Sequence, residues 1–408
     1  MLNNKFSLKN ALYPFLLFVI VAVIAVLTYK SGTFLTGWDT LHPEFDFGLN
    51  FQRLLSGVWR GEQGLGAVAG HSHMADLPRV LILWILHFAL PLNVLRYAYF
   101  FLCLFFGPLG IYYLVKHISW NVERSTLSAL RLTAFLSALF YLFNLATVQV
   151  FYAPFEMFAT QYAALPWIVF FSLRFLNENN SELRITNYEL RKKSLVWFVL
   201  VTLLATPQAY AAHLWYPLFG MYALFLICYA LLNKKEAWIP DQVRDDMTGK
   251  SADTNFVRIG GGAGTSTSTE RQNSISSGFI IKKSLFLIAL TLLLNSFWLL
   301  PNLYYITTQG NTPKESKQNR IYSQEYRLRN REHGYIQDIA LNRGFYFNWS
   351  IYKFENNKFD YLMPEWRKHL NNPFVAGTGY ILFATSIVGI YLSFKKRLHF
   401  QKAIIPFF

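Results

Sequence analysis

Residues 11–29 read ALYPFLLFVIVAVIAVLTY, nineteen consecutive positions without a charged side chain. A half-buried strand would alternate apolar and polar residues, whereas this block is apolar on every side, so it reads as a helix. At 1.5 Å per residue it reaches about 28 Å, close to the roughly 30 Å hydrocarbon core of a bilayer. A helix also satisfies its own backbone polar groups, which lipid cannot do. Lys5 and Lys9 precede the block and TYKSG follows it, with no small-x-small cleavage pattern, so the block is expected to stay in the chain as a first span.

Similar blocks recur near 94–115, 132–148, 159–176, 194–211, 214–232, 283–303 and 373–394. The expected fold is therefore all-α, a polytopic transmembrane helical protein with about eight complete spans. After 394, KKRLHFQK is followed by AIIPFF, which reads as the opening of a truncated ninth span. The composition agrees: 53% of residues are hydrophobic, 18% aromatic and only 15% charged, against roughly a quarter charged in soluble domains.

The net charge of +15 does not point to nucleic acid, because its basic residues fall between the apolar blocks. Placing the amino terminus in the cytoplasm puts Lys116, Arg124 and Arg131, then Arg184, Arg191, Lys192 and Lys193, then Lys234, Lys235, Lys282 and Lys283, then Lys395, Lys396 and Arg397 on that same side. That is the positive-inside pattern of a multi-pass protein of the plasma (inner) membrane. Residues 30–92 and 307–372 then become external loops. The apolar stretch 80–91, VLILWILHFALP, has only twelve residues. It is too short to cross, and a crossing there would invert every later basic loop, so a surface-lying segment is expected. Residues 236–279 are rich in Gly, Ser and Thr with almost no aromatics, and read as a disordered cytoplasmic insertion. Cys103 and Cys228 both lie in apolar blocks and define no disulfide framework.

Polar chemistry gathers in the first external loop. Asp39, Glu44 and Asp46 follow the first span within about a dozen residues, at headgroup height, where a shielded carboxylate can act as general base toward a hydroxyl or hold a divalent cation. Over 47–59, Phe47, Phe51, Leu54, Leu55 and Val58 recur at the spacing of one helix face, an interfacial amphipathic helix that would place Arg53 and Arg60 beside lipid phosphates. His42, His71, His73 and Asp76 are candidates for polar contacts or metal ligation, but no further ligand has diagnostic spacing. Gly64–Gly70 lacks the spacing of a nucleotide loop. Glu156, Gln161, Gln208 and His213 fall at span mouths on the same side, as weaker candidates.

The residues Gly37, Trp38 and Asp39 in GWDT, the continuation through FGLNFQRLL and LPRVLILWILHFALP, and NSFWLLPNLYYI at Asn295–Ile306 together resemble the GT-C class of membrane glycosyltransferases, in particular its arabinofuranosyltransferase-like branch. The resemblance covers roughly 1–306, making that the transmembrane core, with 307–372 an external loop and 373–408 the last complete span, a basic loop and the truncated span. It implies transfer of a sugar from a polyprenyl-phosphate donor to an external glycan or lipid acceptor, with Asp39 as general base, Glu44 and Asp46 as second acids, and Arg53 and Arg60 binding the donor phosphate. A transporter or lipid-translocating protein without covalent chemistry is the competing expectation, and a nonenzymatic assembly subunit a third. Transporters place charge near the midplane, whereas here acids gather at one membrane face.

Overall fold

The computed structural model describes residues 8–37, 42–60, 67–68, 72–119, 127–177, 184–236, 277–311, 315, 317 and 335–395. Helix dominates, as the apolar blocks require. Among the described residues five helices contain a stretch long and apolar enough to cross a membrane: α1 (Leu8–Thr28), α4 (Leu92–Ser119), α9 (Ala212–Glu236), α10 (Ser277–Gln309) and α14 (Pro373–Lys395). The block expected at 132–148 is broken into α5 (Leu127–Phe143) and α6 (Leu145–Tyr152), bent by 46°, and makes a sixth span only if the pair is counted as one. Asn144 causes the break by serving both helix ends. Its amide nitrogen donates to the carbonyls of Phe140 and Tyr141, both at 3.0 Å, while its amide oxygen accepts from the Thr147 N–H at 3.0 Å.

The blocks expected at 159–176 and 194–211 are less apolar than a lone span needs. α7 (Glu156–Asn177) is diluted by Glu156, Thr160, Gln161, Ser172 and Arg174. α8 (Arg184–Leu204) begins with charged residues, and its apolar run stops where a 3₁₀ turn at Thr206–Tyr210 opens with Pro207. Residues 237–276 of the expected insertion, and 396–408 with the ninth block, lie outside the described residues.

The first loop folds back on the bundle. A 3₁₀ turn (Pro43–Phe45) leads into α2 (Phe47–Leu55), a two-residue ladder pairs β1 (Trp59–Arg60) with β2 (Ala67–Val68), and a second 3₁₀ turn (His73–Asp76) leads into α3 (Leu77–His87). With eleven residues, about 16 Å long, α3 is too short to cross, as expected of 80–91. Its Val80 and Leu83 are buried, Leu83 beside Leu95 and Tyr99 of α4, while Ile85 and Phe88 stay exposed. The stripe expected over 47–59 splits. Phe47 and Phe51 meet His87 and Trp84 of α3, and Leu54 is buried, but Leu55 faces outward and Val58 lies past the helix end.

α4 is the axis of the bundle, packing on α1, α5 and α7. It approaches α7 closely at two glycines. A Cβ on Gly107 would collide with the Tyr162 ring, and one on Gly110 would stand 2.9 Å from Pro166 Cβ and Trp167 Nε1. Behind this seam, Phe171 and Leu173 of α7 pack with Phe198, Phe225, Leu226 and Leu287 in the main apolar core.

The segment expected as a long external loop is partly ordered structure. α10 runs through Pro301 to Gln309, and α11 (Ile336–Ala340), α12 (Phe345–Asn348), the antiparallel pair β3 (Ser350–Lys353) and β4 (Lys358–Tyr361), and α13 (Pro364–Leu370) precede α14. One buried side chain ties this segment to α6. Gln149 Oε1 accepts from Gly344 N (2.7 Å) and Phe347 N (3.2 Å), and its Nε2 donates to Asn342 O (2.8 Å) and Leu145 O (3.1 Å). Tyr152 adds a bond from its hydroxyl to Leu362 O at 2.8 Å.

Candidate functional site

At the end of the bundle where the first loop lies, five charged side chains and a histidine form one buried network. Glu156, the first residue of α7, is 5% exposed, and its Oε1 accepts from Arg79 of α3 at 3.0 Å and from Arg96 of α4 at 2.5 Å. Arg79 also grips Asp76, with Nε 2.7 Å from Oδ1 and a second short contact from Nη2 to Oδ2. This bidentate fork fits a guanidinium to a carboxylate. Burial disfavours the Arg79 charge, but Asp76 and Glu156 outweigh it and hold its pKa above the ordinary arginine value.

Arg96, 1% exposed, reaches His42 as well. Its Nη1 stands 2.9 Å from Nε2 and 3.2 Å from Nδ1, so it can donate to only one of them. His42 Nδ1 is 2.9 Å from Glu44 Oε1. A proton on Nδ1 satisfies both neighbours, donating to Glu44 and leaving Nε2 to accept from Arg96. Glu44 is 3% exposed, and among the described residues its Oε2 has no hydrogen-bond partner. A buried carboxylate oxygen left open in this way is an acceptor for a hydroxyl or a water.

Sequence elements converge on the network from several directions. Asp76 ends the His73–Asp76 turn, whose Ala75 carbonyl accepts from Thr206 Oγ1 at 2.8 Å and whose His73 ring stacks on Tyr210 at 4.6 Å. Ala75 also packs with Trp215 and Trp298. Trp298 Nε1 donates to Asn295 Oδ1 at 2.8 Å, so the NSFW segment and the first loop meet at this point. Below Glu156, Thr160 Oγ1 donates to the Glu156 carbonyl at 2.6 Å and stands 2.6 Å from Tyr99 OH.

Of the residues singled out in the sequence, His42, Glu44 and Asp76 belong to this network. Asp46 stands at its edge as the cap of α2, accepting from Leu49 N at 2.9 Å. His73 is buried in its stack, and Arg53 is half-buried in the last turn of α2. Arg60 pairs through its backbone with Ala67 in the first ladder. Asp39 and His71 lie outside the described residues. Glu156, read as a weak candidate, is the hub. Arg79 and Arg96 were not singled out, although a lone arginine in the apolar stretch LNVLRYAYFFL is a signal in its own right.

Among the described residues no three His, Cys, Asp or Glu side chains converge as metal ligands. His42 and Glu44 spend their facing atoms on each other. What the network can do is fix the first loop against α3, α4 and α7 and present one open carboxylate oxygen beside a histidine that is one-fifth exposed along its side chain. Compared with family models, curated proteins and solved structures, the chain matches none.

Proposed function

We propose that this chain is a membrane glycosyltransferase that moves a sugar from a polyprenyl-phosphate donor to a glycan or lipid acceptor at the outer face of the plasma membrane. The observation that carries the reading is the buried network that ties the loop following GWDT to α3, α4 and α7, with Glu44 Oε2 left open. Asp39, three residues before His42 in the chain, takes the proton of the acceptor hydroxyl. The hydroxyl oxygen forms the new glycosidic bond, and the bond to the lipid phosphate breaks with its electron pair leaving on phosphate. Direct displacement inverts the anomeric carbon. Glu44 accepts a hydroxyl of the sugar or acceptor. Arg79 and Arg96 are matched by carboxylates, and Arg53 and Arg60 meet the donor phosphate. In this reading the amino terminus is cytoplasmic, and α7 and α8 join the six apolar candidates to give eight spans.

The test is Asp39→Asn beside Glu44→Gln in membranes of cells expressing the full chain, with turnover of lipid-linked sugar followed by radiolabel. Loss of turnover in Asp39→Asn by about 100-fold or more, at normal expression, is the expected result for a missing base. Unchanged turnover removes Asp39 from the chemistry.

A further inference from the structure

Between α14 and the bundle lies a cavity of about 1190 Å³, walled by α5, α6, α7 and α9 and roofed by α11 and α13. On α7 the lining residues are Phe158, Gln161, Tyr162 and Leu165. Glu156, Ala159, Thr160 and Ala163 face the charged network and the Leu95–Cys103 stretch of α4 instead, while Tyr162 borders both the cavity and Gly107 of α4. At 100° per residue these two sets lie on nearly opposite sides of the helix. The cavity is thus a separate place from the candidate site.

On α14 the lining runs from Val375 to Ile390 through Thr378, Leu382, Ser386 and Ile387, the three-and-four spacing of one helix face. Fifteen residues span about 22 Å, roughly three-quarters of a hydrocarbon core. That length and the apolar wall suit extended hydrocarbon chains.

Its mouth is polar. Asn342, Trp366 and His369 line it, the Trp366 and His369 rings meet edge to face at 5.9 Å, and Lys368 stands exposed on the same turn of α13. An indole beside a cation is the composition of the headgroup level of a bilayer, and Lys368 complements a phosphate.

We propose that this groove holds a bilayer phospholipid, its chains along α14 and its phosphate at the Lys368–His369 turn. It is a site distinct from the one at which chemistry is proposed, and it stands whether or not the chain is a transferase.

The full chain, purified in detergent, is titrated with dioleoyl phosphatidylglycerol and read by native mass spectrometry. One tightly held lipid per chain is expected. Ser386→Trp, which fills the groove, weakens that binding by about tenfold or more. Ile381→Trp, on the 65% exposed outer side of α14, leaves it unchanged. Lys368→Glu weakens phosphatidylglycerol more than phosphatidylcholine. If Ser386→Trp is not monodisperse, Thr378→Phe fills the same face and is read in its place. Three outcomes overturn the proposal: no lipid bound to the unaltered chain, equal binding in the filled variants, or a dimer that Ser386→Trp dissociates, which would make the groove an interface between copies.

Discussion

Replacing Glu156 with Leu keeps most of the side-chain volume but removes the carboxylate shared by two buried arginines. The two are not equally harmed. Arg79 keeps its fork on Asp76, whereas Arg96 loses its 2.5 Å pairing with the Glu156 carboxylate and keeps contacts to neutral groups such as the His42 ring and, at 3.5 Å, the Pro154 carbonyl. Breaking a buried ion pair on one side costs about 3–5 kcal/mol, because the remaining charge is stranded. At about 2 °C per kcal/mol for a chain of this size, the melting temperature falls by about 6–10 °C. A thiol-reactive dye can follow the transition, since Cys103 is buried within two turns of Arg96 on α4. The decisive variant is the double change Glu156→Leu with Arg96→Met, which removes the stranded charge and should recover most of the loss, while Glu156→Leu with Arg79→Met should not, because it strands Asp76 instead. A fall under about 2 °C in the single variant, or equal rescue by both double variants, would refute this account of the network.

Gln149→Leu should free the 335–372 segment from α6, because the Gly344 amide and the buried Phe347 amide lose their acceptor. At about 1–3 kcal/mol for each unsatisfied donor, opening rises by ten- to a hundred-fold or more, read as faster tryptic cleavage at Arg343 and Arg367 with the rest of the chain unaffected. In the β3–β4 hairpin, Lys353 donates to Asp360 at 2.6 Å and, with the Tyr361 N–H, holds the Asp360 carboxyl below its ordinary 3.8. A depressed acid lends stability above its unfolded value and loses it as pH falls through the folded one. Amide protection in 350–361, taken relative to the intrinsic exchange rate at each pH, should therefore stay flat down to about pH 4 and fall below it, and Lys353→Met should shrink the step.

What was legible in the sequence was whatever a local pattern carries. The unbroken apolarity of 11–29 marks a helix without reference to any partner, and twelve residues at 80–91 are too few to cross whatever lies beneath them. Asn144 breaks its block for a reason that hydropathy does not record, since its side chain satisfies both helix ends. The site was half legible. Acids in the first loop were noticed because they cluster in sequence, but Arg79 and Glu156 meet across 77 positions, and no periodicity links them. Asp46 shows the reverse error of emphasis. An aspartate directly before an amphipathic run is the signature of a helix cap, and that is the bond it makes with Leu49.

The glycine seam between α4 and α7 carries a consequence for how this molecule tolerates change. Tyr162 and Pro166 lie six and ten residues beyond Glu156 on a rigid helix, about 9 and 15 Å down its axis. A methyl group at Gly107 or Gly110 would act there as a wedge, and two stiff rods pried apart at one point splay at their ends. The ends are where Arg96 and Glu156 meet. Alanine at either glycine should thus mimic damage to the charged network from a place that touches no substrate, and lesions that silence the protein will cluster along this hinge line as well as around the loop.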